Sequence, residues 1–255
     1  MSVKDSLFAS PLGDIDRFKF NQAVVDVFPD MLRRSVPGYE SIITQSALLA
    51  ERFVQPETHL YDLGSSLGAT ALSMRDALVG CEPSQVAGCE IHAIDNSRAM
   101  VEASQQLIAK TLNDSQSSIP IVVHEADLET HVLQNASVVA MNFTLQFVDR
   151  QARAALMQKI ANALRPGGAF ILSEKICFDD EQLDQLYIDM YHSFKSANGY
   201  SDLEISQKRT ALENVLIPDT LQTHHERLHT AGFAHTSVWF QCFNFASIIA
   251  IKGSD

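Results

Sequence analysis

The chain is 255 residues long, 46% hydrophobic and 20% charged, and carries a formal net charge of −12. That length and balance suit one large globular domain with a substantial core, and the acidic excess disfavours a broad phosphate-binding face, since nucleic-acid affinity rests largely on Lys and Arg. No window approaches the roughly 18 to 20 apolar residues of a membrane span, and Met1 to Phe20, with its charges, Pro11 and Gly13, lacks the apolar run of a signal peptide. The expectation is a cytoplasmic protein that handles a small molecule, with no direct nucleic acid binding and no membrane attachment. Cys81, Cys89, Cys177 and Cys242, scattered without a Cys-x-x-Cys pair, fit thiols kept reduced.

In chain order, helical candidates at about Gln22–Leu32 and Tyr39–Val54 come first and are expected to form a helical N-terminal cap (1–57) over a ligand crevice in the core that follows (58–255). From there short β-branched runs alternate with longer stretches of helical periodicity, the sequence form of βαβ units around a parallel sheet. His59–Leu63, Glu90–Asp95, Ile119–His124, Ser137–Asn142 and Ala169–Ser173 read as strands; Thr70–Val79, Ser97–Leu112 and Arg150–Leu164 read as helices. Pro166-Gly167-Gly168 stops the last of these, where a missing N–H and permissive glycines end the ladder. A long polar and aromatic helical region runs from Asp179 to about Val215, an insertion over 179–217, and a further helix from Pro218 to Ala231 ends at Gly232. His235–Phe243 and Phe245–Lys252 are joined too tightly for a helical crossover, so antiparallel neighbours are expected. The sum is a single α/β, Rossmann-like domain whose seven-stranded, mostly parallel sheet ends in an antiparallel pair, which resembles the class I methyltransferase fold.

Open parallel sheets bind ligands at the carboxyl ends of their strands, near the point where strand order reverses. The first strand ends in Tyr61-Asp62-Leu63-Gly64-Ser65-Ser66-Leu67-Gly68 and runs into a helix. Gly64 and Gly68 let backbone approach a ligand, and the helix start offers free N–H groups and a positive dipole end. Asp95-Asn96 closes the next strand, where an acidic residue hydrogen-bonds ribose hydroxyls in this topology. A plain tight turn is the bland reading of Gly64, and NAD is the rival ligand. The loop lacks the G-x-G-x-x-G spacing a pyrophosphate requires, whereas S-adenosylmethionine has no pyrophosphate. The loop also departs from the G-x-G of many methyltransferases, with Ser66 at the second glycine. Asp127, after the third strand, is placed to meet the adenine, and Asn142 interrupts the apolar run Val138 to Leu145 at a strand's carboxyl end, where a polar amide needs partners. Either can also be a turn residue.

Several segments resemble the bacterial carboxy-S-adenosyl-L-methionine synthases along essentially the whole chain: Val27-Phe28-Pro29-Asp30-Met31, Arg34-Ser35-Val36-Pro37-Gly38-Tyr39, Tyr61-Asp62-Leu63-Gly64, Asn142-Phe143-Thr144-Leu145-Gln146-Phe147, Ala197-Asn198-Gly199-Tyr200-Ser201, Glu204-Ile205-Ser206-Gln207-Lys208-Arg209 and Trp239-Phe240-Gln241-Cys242-Phe243-Asn244. The resemblance implies conversion of S-adenosyl-L-methionine and prephenate to carboxy-S-adenosyl-L-methionine and phenylpyruvate, supplying a downstream tRNA carboxymethyltransferase that modifies wobble uridine. The sulfonium acidifies its methyl group, prephenate aromatises as it loses carbon dioxide, and the ylide carbon captures that carbon dioxide. The departing prephenate hydroxyl is the implied base, so no protein base is needed. The resemblance makes Arg209 catalytic: its guanidinium pairs the product carboxylate through two parallel N–H bonds and reaches across a homodimer interface. From spacing alone, a solvated helix-face arginine beside Lys208 is the reading. By the same resemblance Tyr39 contacts the ligand, Gly64, Ser65 and Ser66 line its amino acid portion, Asp95 and Asn96 hold ribose and adenine, and Asp127, Leu128 and Asn142 complete the pocket.

His225-Glu226-Arg227-Leu228-His229 satisfies the H-E-x-x-H pattern of zinc hydrolases, but it reads as the last helix before the C-terminal strands, and no metal is expected. Asp179-Asp180-Glu181 with Asp184 fits a helix start complementing the dipole. Glu174 and Lys175, at the fifth strand's end, face substrate or pair with each other, and Trp239 reads as core. A small-molecule methyltransferase and a non-catalytic scaffold for a tRNA-modifying partner are the rival functions.

Overall fold

A computed structural model describes residues 3–113 and 119–254; residues 1, 2, 114–118 and 255, among them both ends of the expected 1–255 span, lie outside the description. Strands β1 (His59–Leu63), β2 (Glu90–Asp95), β3 (Ile121–Glu125), β4 (Ala136–Asn142), β5 (Leu164–Lys175), β6 (Phe233–Cys242) and β7 (Phe245–Lys252) form one sheet in the order β3-β2-β1-β4-β5-β7-β6. The first five run parallel, and β7 pairs antiparallel with both β5 and β6. Strand order therefore reverses between β1 and β4, which opens a crevice above their carboxyl ends.

The inner strands β1, β4 and β5 bury both faces, so side-chain alternation sends neighbours to opposite layers. Leu60, Ala93, Val138 and Ile171 meet α2 (Tyr39–Phe53) and α3 (Ala69–Leu78) through Ala50 and Met74. Tyr61, Leu63, Phe170 and Leu172 face α5 (Arg150–Ala163) and α8 (Leu221–Thr230) through Leu156, Ile160 and Leu228. A third cluster seats α1 (Gln22–Ser35) on α4 (Arg98–Asn113), with Val24, Phe28 and Met31 against Met100. Trp239, on β6, packs partly buried against the α2–α3 layer, and all four cysteines are unpaired.

Three of the departures from the sequence expectation have clear local reasons. β3 starts at Ile121 because Pro120 has no N–H for the parallel ladder, although its carbonyl still accepts from Ile91 N–H (3.0 Å). β5 starts at Leu164, ahead of the expected Ala169. Its ladder to β4 shifts register between Ala136 and Val138, absorbing the Pro-Gly-Gly turn, and Gly167 takes φ +74°. The expected Asp179–Val215 helical region is two helices, α6 (Glu181–Ala197) and α7 (Asp202–Leu212), broken where Gly199 takes φ +84°. Ser201 starts α7 with a capping box: its hydroxyl accepts from Glu204 N–H (3.3 Å), and its own N–H donates to the Glu204 carboxylate (2.8 Å).

The N-terminal segment straps α1 to the α6–α7 break. Asp5, buried, receives Tyr200 O–H (2.5 Å), donates its N–H to Asp30 (2.8 Å) and lies 3.8 Å from the Lys208 ammonium. Arg34 stacks over the Tyr200 ring at 3.9 Å and donates to the carbonyls of Asp5 (3.1 Å) and Asn198 (2.8 Å). Farther along, the Gln207 amide donates to the carbonyls of Phe8 and Ser10 (both 2.9 Å) and accepts from Leu12 N–H (2.7 Å). These bonds hold α7 across the mouth of the crevice.

Candidate active site

A cavity of about 1190 Å³ occupies the crevice, and Tyr39, Gly64, Ser65, Ser66, Asp95, Asn96, Asp127, Leu128, Asn142 and Arg209 all line it. Gly64 to Ser66, Asp95 and Asn96, Asp127 and Leu128, and Asn142 come from the carboxyl ends of four parallel strands.

The glycine loop is built from backbone. Gly64 and Ser65 donate their N–H groups to the Ile94 carbonyl (2.8 and 2.9 Å), hooking the end of β1 onto β2. A Cβ on Gly64 would collide with the Thr144 side chain, and its φ of +74° is left-handed, so a glycine is required twice over. Ser66, where many methyltransferases place a second glycine, takes φ +49° and donates its N–H to Asp95 Oδ2 (2.9 Å). The other Asp95 oxygen accepts from Ser97 N–H (2.8 Å); burial raises its carboxyl pKa and these N–H donors oppose the rise. Beneath the loop, buried Asp62 accepts from Ser65 O–H (2.8 Å) and Ala71 N–H (3.1 Å), tying the loop to the start of α3. Burial pushes the Asp62 carboxyl up to about 7. The Tyr39 phenol, near enough to feel that charge, is also pushed up, chiefly by its own burial.

Asp127 and Asn142 separate on inspection. Asp127 spends one carboxylate oxygen on Glu129 N–H (2.8 Å), stabilising the turn after β3, and is otherwise exposed to the cavity. Asn142 donates through Nδ2 to Thr70 Oγ1 (3.2 Å), while its Oδ1 is buried with no protein partner among the described residues. A buried carbonyl oxygen left open in this way calls for a donor from a ligand. One side of the cavity thus carries the carboxylates of Asp95 and Asp127, the open amide oxygen of Asn142 and a loop that only glycine permits.

The opposite wall is cationic. Arg209, exposed on α7, makes no hydrogen bond or ion pair among the described residues. Near it stand Lys175 at the end of β5 and Lys195 and His192 on α6, whose pKa values burial lowers and whose mutual repulsion and Arg209 lower further. Lys175 also stands at the carboxyl end of a strand, as Asp95 and Asn142 do, and that shared place is the signal by which sequence reasoning could have included it. Glu174 beside it is a positioning residue. It accepts from the N–H groups of Thr144 (3.2 Å), Leu145 (2.8 Å) and Gln146 (3.0 Å), holding the turn that carries Asn142 and the Thr144 lid over Gly64. Burial drives its carboxyl up to about 8 against those donors.

In the H-E-x-x-H segment, His225 Nδ1 and His229 Nε2 both approach Thr236 Oγ1 (2.8 and 3.5 Å). The side chains that gather at metal-ligating distance, among the described residues, are His59, Glu90 and His92 on the amino-terminal part of the sheet, away from the cavity.

Residues 61–168 match the family model for a methyltransferase domain. The human N-acetylserotonin methyltransferase, solved with S-adenosylmethionine, superposes with a TM-score of 0.58 at 20% identity, covering 91% of this chain and 55% of that one. A putative S-adenosyl-L-methionine-dependent methyltransferase from Methanococcus maripaludis gives 0.58 at 19%, covering 96% and 98%. At these identities the likeness establishes the class I methyltransferase fold. The carboxy-S-adenosyl-L-methionine synthase of Geobacter sp. (strain M21) is 52% identical over 248 residues, 97% of this chain and 98% of its own. Those of Vibrio cholerae (52% over 252 residues, 99% and 98%) and Aeromonas salmonicida (51% over 255 residues, 100% and 99%) match as fully. With half its residues identical over nearly the whole of each chain, the chain belongs to the carboxy-S-adenosyl-L-methionine synthase family.

Proposed function

We propose that the carboxyl donor is prephenate, that phenylpyruvate and water leave as co-products, and that the carboxylated sulfonium feeds a downstream tRNA carboxymethyltransferase acting on wobble uridine. The observation that carries this reading is a cavity with two walls of opposite sign, in which Asn142 offers an open buried acceptor and Arg209 an unpaired guanidinium. A methyl transfer consumes the positive charge of the sulfonium, whereas carboxylation keeps it and adds a carboxylate, so the product needs a fixed cation. Arg209 supplies it through charge-assisted hydrogen bonds.

In this reading Gly64, Ser65 and Ser66 bear on the amino acid portion of S-adenosylmethionine, Asp95 and Asn96 on its ribose and adenine, Asp127 and Leu128 on the outer edge of the base, and Asn142 and Tyr39 on the region of the sulfonium. The atoms balance without a protein base: hydroxide leaving prephenate takes the methyl proton as water, and the carbon dioxide released by aromatisation becomes the new carboxylate. A homodimer belongs to the same proposal, because Arg209 is exposed and free to enter a partner's cavity as well as its own; sedimentation at micromolar concentration reports it. A cytoplasmic location is part of the reading, since substrates and tRNA are found there.

Mass spectrometry of a reaction containing S-adenosylmethionine and prephenate tests the chemistry: a sulfonium species heavier by one carbon dioxide is expected, with no S-adenosylhomocysteine. Arg209→Leu should lower carboxy-product formation by roughly ten- to hundredfold, the range for losing a hydrogen bond to a charged group, with S-adenosylmethionine binding largely spared. Unchanged turnover removes Arg209 from the reaction.

A further inference from the structure

Arg209 does not account for the charge on its wall. Lys195 is 5% exposed, makes no ion pair with any described carboxylate, and feels Lys208, Lys175 and Arg209 as repulsive neighbours with no acid to offset them. Lys175 has Asp184 as its nearest acid influence, yet no ion pair forms between them. Lys208, by contrast, is matched by Asp5. Both Lys175 and Lys195 place their ammonium groups over one ring, Tyr191, at 4.9 and 4.5 Å from its centroid. Tyr191 itself lines the cavity with His192.

The attraction of a ring face for an ammonium falls short of the cost of removing that cation from water. Two such cations on one ring, in a chain of net charge −12, form a site built for an anion. No described carboxylate forms an ion pair with Lys175 or Lys195, and Asp184 bears on Lys175 only from beyond ion-pair distance.

We propose that Lys175 and Lys195, presented on Tyr191, are the subsite that binds the carboxylates of the carboxyl donor, leaving Arg209 for the carboxylate being installed. The inference rests on the proposed reaction, since it assigns the position of the second substrate within it. Two cations on one ring select a dicarboxylate over a monocarboxylate, which also favours release once one carboxylate has been transferred and the product acid keeps a single charge.

Lys175→Met and Lys195→Met, with Lys195→Arg as the charge-preserving variant, test this on the full-length protein in two assays. The first is calorimetric titration of prephenate into protein saturated with S-adenosylhomocysteine, which lacks the methyl carbon and cannot turn over, alongside titration of S-adenosylmethionine into free protein. The second is steady-state formation of the carboxylated sulfonium. Each Met variant should weaken prephenate binding and raise its KM by roughly ten- to hundredfold, the range for losing one hydrogen bond to a charged group. S-adenosylmethionine affinity should stay unchanged, and Lys195→Arg should recover most of the loss. Unaltered prephenate binding and KM in both Met variants overturns the inference. So does a fall in S-adenosylmethionine affinity in place of prephenate affinity, which assigns the lysines to the sulfonium substrate's own carboxylate. Wild-type turnover with indifferent variants leaves the reaction standing and removes the subsite alone, whereas wild-type protein that neither binds prephenate nor forms product brings down both.

Discussion

The two walls of the cavity are made of different material. On the nucleoside wall the working groups are backbone N–H donors and carboxylates whose bonds are largely internal: Asp62 and Asp95 each accept two protein donors before any ligand arrives. On the facing wall the working groups are long side chains carried by α6, α7 and the end of β5, and their charges are poorly matched within the protein. The first wall is pre-organised and indifferent to which reaction follows, which suits a substrate common to many enzymes. The second holds its cations at a cost that only an anionic ligand offsets, and it is there that a carboxylating enzyme must differ from a methylating one.

The largest effect should come from breaking the backbone wall. Gly64→Val drives a β-branched side chain into Thr144 at a left-handed φ, and S-adenosylmethionine binding measured by calorimetry should fall by roughly 100-fold or more, the consequence of strain and overpacking above about 2.7 kcal/mol. Binding within a few-fold of wild type would show that the loop adapts and that the contrast between the walls is overstated.

A second variant acts on the cationic wall through its support. Asp5→Asn removes the carboxylate shared by Tyr200 and Lys208, and urea denaturation should report about 3 kcal/mol of lost stability, as for breaking one side of a buried pair. S-adenosylmethionine affinity should hold while the KM for prephenate rises. Equal losses for both substrates would mean that the walls are coupled.

The smallest effect is a pH trend. Burial and the neighbouring cations Lys208, Lys175 and Arg209 bring Lys195 from 10.5 down to about 7. A base depressed in the folded state binds fewer protons there than in the unfolded chain, so its contribution to stability is complete above the unfolded value and is lost as pH falls through about 7. Melting temperatures measured between neutral and alkaline pH should rise more steeply for wild type than for Lys195→Met. Parallel curves would show that Lys195 is already neutralised by an anion.

The nucleoside wall was the legible one. His59–Leu63 and Glu90–Asp95 have the bounds their composition predicts, and Asp95 and Asn142 announce themselves as polar residues ending apolar runs. The cationic wall was not legible except through resemblance, because Tyr191, His192 and Lys195 sit on a helix whose sequence reads as an ordinary amphipathic surface. Only the break at Gly199 and the strap over α7 turn those faces inward. That break carried its own signal: Ser201-x-x-Glu204 is a capping box, and reading it would have divided the long helical stretch. Lys208 and Arg209 adjoin in sequence, yet one is buried on Asp5 and the other stands exposed at the cavity, a distinction set by partners more than 190 residues away.

The strap at Asp5 also sets an order of assembly. Asp5 and Tyr200 are separated by 195 residues, so during synthesis the bond must wait until nearly the whole chain has been made. The βα units around β1, β2 and β4 rest on shorter-range contacts and can form earlier. A growing chain thus gains its glycine loop well before α7 can be fastened to the N-terminal strap.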